Sequence, residues 1–159
     1  MKVLFVVPPK YYHTLWDVKH FTYPIGLWGL ASYLQDEVEA EVELFDCIAE
    51  DPERTEQVTK HVARMGCSDE ALVDSIKERA PELIGMQCIS SNQHEAIIYF
   101  ARLLKRSFPS TPVVVGGAHA SALPERILKE AHGAIDFVVV GEGEMTTAEL
   151  VTRLDEGQD

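Results

Sequence analysis

Glycine pairs and short polar runs at the ends of apolar segments are the residues of this sequence suited to chemistry. Val113-Val114-Val115-Gly116-Gly117-Ala118-His119-Ala120-Ser121 is the first of them. Three β-branched residues in a row, entered through Thr111-Pro112, predict a short buried strand. The two glycines then let the backbone turn sharply and come close to another group. At the carboxyl end of a strand in an open α/β sheet, such bare main chain suits a large flat or phosphate-bearing ligand. A tight strand-to-loop turn with no ligand uses the same residues. Asp46 ends the charged-apolar alternation over 41–45 and suits either a ligand contact or, the commoner task, a helix cap. Gly141-Glu142-Gly143-Glu144 closes a further apolar run over 135–140. Cys47, Cys67 and Cys88 are odd in number and evenly spread, which fits neither a disulfide framework nor a zinc site and predicts reduced thiols. No catalytic constellation is legible in this set.

The elements that must position these residues follow from periodicity. Residues 3–7 predict a buried strand stopped by Pro8-Pro9. Residues 10–23 read as a loop carrying Tyr11, Tyr12, Trp16 and Phe21; its length suits a lid or contact surface, and a solvent loop pinned by its own aromatics is the plain alternative. Pro24 opens a helix to about Gln35 with Leu27, Leu30, Ala31 and Leu34 as its apolar stripe. Gly26 and Gly29 cost that helix stability unless something packs tightly there, either the sheet or a ligand. Residues 50–80 read as polar helical scaffold broken at Gly66. Residues 83–89 predict a central strand, and Ser90-Ser91-Asn92 cap a helix to Ser107 whose buried face is Ile97, Phe100, Ala101 and Leu104. Pro124 opens a short helix to about Ala131, the fifth strand covers 135–140, and a last helix follows. Strand and helix alternate five times. The fold class is therefore α/β, a doubly wound five-stranded parallel sheet of flavodoxin-like (Rossmann-like) order 2-1-3-4-5.

A chain of 159 residues with 46% apolar and 25% charged residues suits one soluble domain spanning 1–159. Its formal charge of −12, with scattered Lys and Arg, argues against a nucleic-acid surface. The apolar start is too short for a signal peptide, and no run reaches membrane-spanning length, so the expected compartment is the cytoplasm. Several ligands share this fold, and the loops discriminate among them. A phosphoacceptor receiver needs an acidic pair after the first strand and an acceptor Asp after the third; this chain has Pro8-Pro9 and Gln87-Cys88. A dinucleotide fold needs Gly-x-Gly-x-x-Gly after the first strand, whereas the Gly-x-Gly here, Gly141 to Gly143, follows the last. A flavodoxin needs a hydroxyl-rich phosphate loop after the first strand, which is missing too.

Four segments taken together resemble another user of the fold. They are Val6-Val7-Pro8-Pro9, Tyr23-Pro24-Ile25-Gly26-Leu27, Val115-Gly116-Gly117-Ala118-His119-Ala120 and Val139-Val140-Gly141-Glu142-Gly143-Glu144. In this order they resemble the cobalamin-binding amino-terminal domain of cobalamin-dependent radical S-adenosylmethionine (SAM) enzymes. Cobalamin carriers of the methionine synthase type use Asp-x-His-x-x-Gly before the first helix, the histidine ligating cobalt. The matching stretch here is Phe21-Thr22-Tyr23-Pro24-Ile25-Gly26, which keeps the glycine and puts Tyr23 in the histidine's place. A phenol is a poor neutral ligand, so the expected mode is base-off cobalamin with no histidine below the cobalt, as is typical of the radical enzymes it resembles. The family's Ser-x-Leu after the third strand reads Gln87-Cys88-Ile89, with Gln87 able to hydrogen-bond the nucleotide tail and Ser91 matching a hydroxyl position further on.

The resemblance further implies cofactor contacts from Pro9, Tyr23, Pro24, Gly26, Asp46, Gln87, Ser91, Gly116, Gly117, Ala118, His119, Gly141, Glu142 and Gly143. His119 as a loop histidine without a role, and Glu142 as a cap of the final helix, are the alternatives. The Cys-x-x-x-Cys-x-x-Cys motif that holds the 4Fe-4S cluster of radical enzymes is missing. The implied parent is a methyltransferase whose C-terminal radical SAM domain, in cis or in trans, carries the cluster and S-adenosylmethionine. The chain then reads either as a piece cut at about residue 155 or as a stand-alone binding domain. Two rivals use the same residues: a module for another nucleotide cofactor such as FMN, and an interaction domain that binds none.

Overall fold

The computed structural model describes residues 1–15 and 23–157. Its strands are β1 (Lys2–Val7), β2 (Lys10–His13), β3 (Glu41–Asp46), β4 (Thr55–Gln57), β5 (Val62–Met65), β6 (Leu83–Gln87), β7 (Val113–Gly116) and β8 (Phe137–Val138). Its α-helices are α1 (Ile25–Glu37), α2 (Cys47–Glu50), α3 (Asp69–Arg79), α4 (His94–Ser107), α5 (Ala118–Ala122), α6 (Pro124–Ala131) and α7 (Gly143–Asp155). Five strands form one sheet in the order β3-β1-β6-β7-β8, every pair parallel. This is the expected 2-1-3-4-5 order.

Strand alternation divides the core into two faces. Leu4, Val6, Ile84, Met86, Val113 and Val115 pack with residues of α3, α4 and α6. Val3, Phe5, Leu83 and Val114 pack with Leu27 and Leu34 of α1 and Val151 of α7. Gly85 belongs on that second face, and a Cβ added to it would lie 2.5 Å from Phe5 Cδ1. The Phe5 ring fills the place its side chain would take. No helix among the described residues is long and apolar enough to cross a membrane.

Several local expectations are corrected. Residues 10–13 form strand β2, and residues 50–80 hold strands β4 and β5 before α3 begins. Together these make a second, antiparallel sheet, β2-β5-β4, with Lys10 opposite Met65. The polar segment misleads because Arg64, on β5, is buried, its guanidinium paired to Asp69 at 2.6 Å and lying 5.3 Å over the Phe100 ring. The rest of the aromatic loop, Trp16 and Phe21 included, lies outside the described residues. Ser90-Ser91-Asn92 do not cap α4 with a side chain: Ser91–Gln93 is a 3-10 turn and α4 starts at His94. The turn after Gly117 coils at once into α5, and the fifth strand shrinks to Phe137–Val138, an edge with one paired neighbour.

Candidate functional site

Two clefts open at the carboxyl edge of the parallel sheet, where the fold gathers its loops. The deeper one, of about 230 Å³, is lined by the apolar side chains of Phe5, Leu27, Val114 and Val139. Gly26, Gly85, Gly116, Gly117, Gly141 and Gly143 also line it, so much of its wall is backbone. The wider one, of about 420 Å³, is lined by Pro8, Pro9, Tyr23, Pro24, Ser90 and Asn92, among others. Gly26, Gln87 and Ile89 line both, so the two meet at the first turn of α1 and the end of β6.

Local geometry explains the bare walls. Cys88 N donates to Gly116 O at 2.8 Å, and Cys88 O accepts from His119 N and Ala120 N at 3.0 and 3.2 Å. These bonds stitch the ends of β6 and β7 together. Gly117, at φ +104°, sits so close that an added Cβ would lie 2.8 Å from Cys88 O. Only glycine suits both that angle and that spacing. A Cβ on Gly26 would instead lie at an ordinary 3.5 Å from Gln87 Oε1, which places the Gln87 amide against the first turn of α1.

Seven of the expected positions line the deep cleft: Gly26, Gln87, Gly116, Gly117, Gly141, Glu142 and Gly143. Pro9, Tyr23 and Pro24 line the wider cleft, with Gly26 and Gln87 again. Glu142 makes no side-chain cap bond to α7, which it precedes. Asp46, Ser91, Ala118 and His119 line neither cleft. The Asp46 carboxylate accepts from Ile48 N at 2.8 Å and Ala49 N at 3.2 Å, the helix-cap role, at the rim of a separate groove shared with Trp28 and Arg79. Ala118 is exposed at the start of α5. His119 and Ser91 belong to a side-chain network with His94 and Glu130 instead.

The clefts also hold residues outside the expected set, and two of them stand one helical turn from an expected glycine. Thr147 is buried and lines the deep cleft from α7, as does Leu30 from α1. The available signal was spacing: Thr147 stands four residues after Gly143 and Leu30 four after Gly26, one helical turn in each case.

The architecture is that of known proteins. The RcsB response regulator of Salmonella typhimurium superposes with a TM-score of 0.59 at 17% identity, over 100% of this chain and 61% of that one. A cobalamin-binding protein from Desulfitobacterium hafniense superposes equally well, TM-score 0.59 at 14% identity, over 96% of this chain and 57% of that one. Such identities define the fold and leave the ligand to the loops. Residues 14–151 match the B12 binding domain, and the chain belongs to that family. Among its relatives, the cytidylyl-2-hydroxyethylphosphonate methyltransferase of Streptomyces wedmorensis is 33% identical over 132 residues, 82% of this chain and 24% of that protein. An uncharacterised methyltransferase of Pyrococcus horikoshii is 33% identical over 159 residues, 100% of this chain and 30% of that protein. The anaerobic magnesium-protoporphyrin IX monomethyl ester cyclase of Rubrivivax gelatinosus is 27% identical over 158 residues, 99% of this chain and 25% of that protein. The chain thus spans less than a third of the length of these relatives.

Proposed function

We propose that the chain is the cobalamin-holding module of a longer radical SAM enzyme, a methyltransferase, and holds the cofactor base-off with no histidine on cobalt. The observation that carries this reading is the pair of joined clefts. The deep one is walled by apolar side chains and glycine backbone, which suits a slender tail; the wider one, which joins it, would take a face of the macrocycle. When bound, cobalamin supplies a cobalt able to carry a methyl group.

The chain's own residues bind, orient and shield. Gly116, Gly117, Gly141 and Gly143 let backbone close on the tail, and the Gln87 amide, where the clefts meet, offers it a hydrogen bond. Phe5, Leu27, Val114 and Val139 exclude water from the depth of the slot. Tyr23, Pro24 and Pro9 face the macrocycle. No histidine is found among the described residues that line the two clefts, and Tyr23 keeps the place where the methionine synthase type has one. The 4Fe-4S cluster and S-adenosylmethionine are assigned to a C-terminal partner domain, in cis or in trans. Two of the relatives that support this reading are methyltransferases by name.

Retention of hydroxocobalamin through gel filtration tests the reading. The unchanged chain is expected to keep a corrinoid with a base-off visible spectrum. Gly26→Leu, in a helix with ordinary room for a Cβ, is expected to fold and to lose it. A folded chain that retains none overturns the cofactor assignment. A base-on spectrum overturns the base-off mode alone.

A further inference from the structure

Four side chains stand in line from the turn after β6 to α6. Ser91 Oγ is 3.4 Å from His119 Nδ1, His119 Nε2 is 3.0 Å from His94 Nδ1, and His94 Nε2 is 2.7 Å from Glu130 Oε2. His94 is only 6% exposed. The two rings meet edge to face at 87°, their centroids 5.2 Å apart. On the far side, Arg126 Nε donates to Glu130 Oε1 at 2.7 Å, and the Arg102 guanidinium donates to Glu130 O at 2.6 Å. Glu95, beside His94 on α4, is a further charged group at the cluster.

Donor and acceptor roles follow in one direction. The hydrogen bond from His94, and then Arg126, hold the Glu130 carboxyl down to about 2, so near neutral pH it is an acceptor only. A neutral His94 then carries its proton on Nε2, which leaves Nδ1 to accept. His119 donates from Nε2 and accepts at Nδ1 from the Ser91 hydroxyl. Every polar atom in the line is matched without a bound ion. Ser91 itself is exposed, and its neighbours Ser90 and Asn92 line the wider cleft.

We infer that Ser91, His119, His94 and Glu130 form a proton relay serving a protic ligand, an alcohol or a water, at the rim of the wider cleft. In the step, the ligand O–H bond breaks and its proton goes to Ser91 Oγ. The Ser91 proton passes to His119 Nδ1, and the His119 Nε2 proton passes to His94 Nδ1. The ligand is left as alkoxide or hydroxide, and His94 as an imidazolium beside the Glu130 carboxylate; charge balances and no redox partner is needed. Ser91 touches the ligand. His119, His94 and Glu130 act through it as positioning and proton-holding residues. The relay ends at the exposed Ser91 hydroxyl, between the two cleft-lining residues Ser90 and Asn92, and is independent of what fills the deep cleft.

Nitrogen-15 NMR of the imidazoles in the full chain, without corrinoid, tests this separately from cofactor binding. Both His94 and His119 are expected as Nε2–H tautomers near neutral pH. Glu130→Gln is expected to mix the tautomers of both rings together, because an amide in that place can donate as well as accept. Fast exchange of the His94 ring proton with solvent is expected to be lost in His119→Phe, which a purely structural network would not show. An Nδ1–H tautomer at His94, tautomers of the two rings unmoved by Glu130→Gln, or unchanged exchange in His119→Phe would overturn the relay. If Glu130→Gln does not fold, the tautomers of the unchanged chain decide alone.

Discussion

Around the deep cleft the protein removes side chains, and around its small antiparallel sheet it buries charged ones. Gly26, Gly116, Gly117, Gly141 and Gly143 leave backbone facing an open slot. On the β2-β5-β4 flank, the Arg64 guanidinium reaches Asp69 at 2.6 Å and Cys67 O at 3.1 Å and lies over Phe100, while Tyr99 donates its hydroxyl to the same Asp69. Burial works against the guanidinium's charge, and the hydrogen bond and charge of Asp69 outweigh it, so the Arg64 pKa is raised overall. The first region is kept open for something to enter. The second is closed by its own side chains and holds the added sheet to α3 and α4. Ligand binding and flank stability should therefore respond to different substitutions.

Gly117→Trp should show the largest effect in the open region. The position combines φ +104° with an added Cβ 2.8 Å from Cys88 O, so any side chain is strained there. A cost of roughly 3 kcal/mol or more is expected, together with loss of corrinoid. Denaturant unfolding and gel filtration check the two effects. Comparison with Gly26→Leu, which should lose corrinoid without that cost, sharpens the contrast between filling the cleft and breaking its wall. Equal destabilisation by both would show that the cleft is ordinary core.

Asp69→Ala should follow in size and be opposite in kind. Removing the carboxylate leaves the buried Arg64 guanidinium without its counter-charge, which costs about 3 kcal/mol. Corrinoid retention by the folded fraction should stay as in the unchanged chain. A variant of ordinary stability that loses the cofactor would break the comparison, because it would mean that the flank shapes the cleft.

This contrast also explains what the sequence disclosed. Glycines and prolines act through backbone geometry and announce themselves locally, so Gly116-Gly117, Gly141-Glu142-Gly143 and Pro8-Pro9 were legible, as was the strand order from four apolar runs and one charged-apolar alternation. Arg64 gives no such signal. Its burial depends on Asp69, Tyr99 and Phe100, and the last two come from the distant helix α4; before folding, the segment shows only polar character, which favours a solvent-facing helix. His119 illustrates the mixed case. Its place beside the glycines was visible, but its partners, His94 on α4 and Glu130 on α6, become neighbours only when the crossover helices pack. The two-residue strand β8 was overread for the related reason that the apolar run over 135–140 continues past the point where an edge strand can pair.

The smallest effect expected is a pH dependence confined to the closed flank. The hydrogen bond to Asp69, with burial and the charge of Asp69 adding to it, raises the Tyr99 phenol from 10.0 to about 12. In the unfolded chain the phenol ionises near its ordinary value, so the fold favours the neutral form. This contribution is fully present below pH 10 and is lost as the pH rises through about 12. Denaturant midpoints measured across that interval should fall for the unchanged chain, and Tyr99→Phe, which has no proton to lose there, should flatten the part due to this residue. Cys88, raised by burial to about 11, adds a fall of its own between 9.0 and that value, so Tyr99→Phe should retain this earlier portion. If the two curves run parallel from pH 10 upward, the Tyr99–Asp69 bond does not stabilise the flank, and the closure there rests on Arg64 alone.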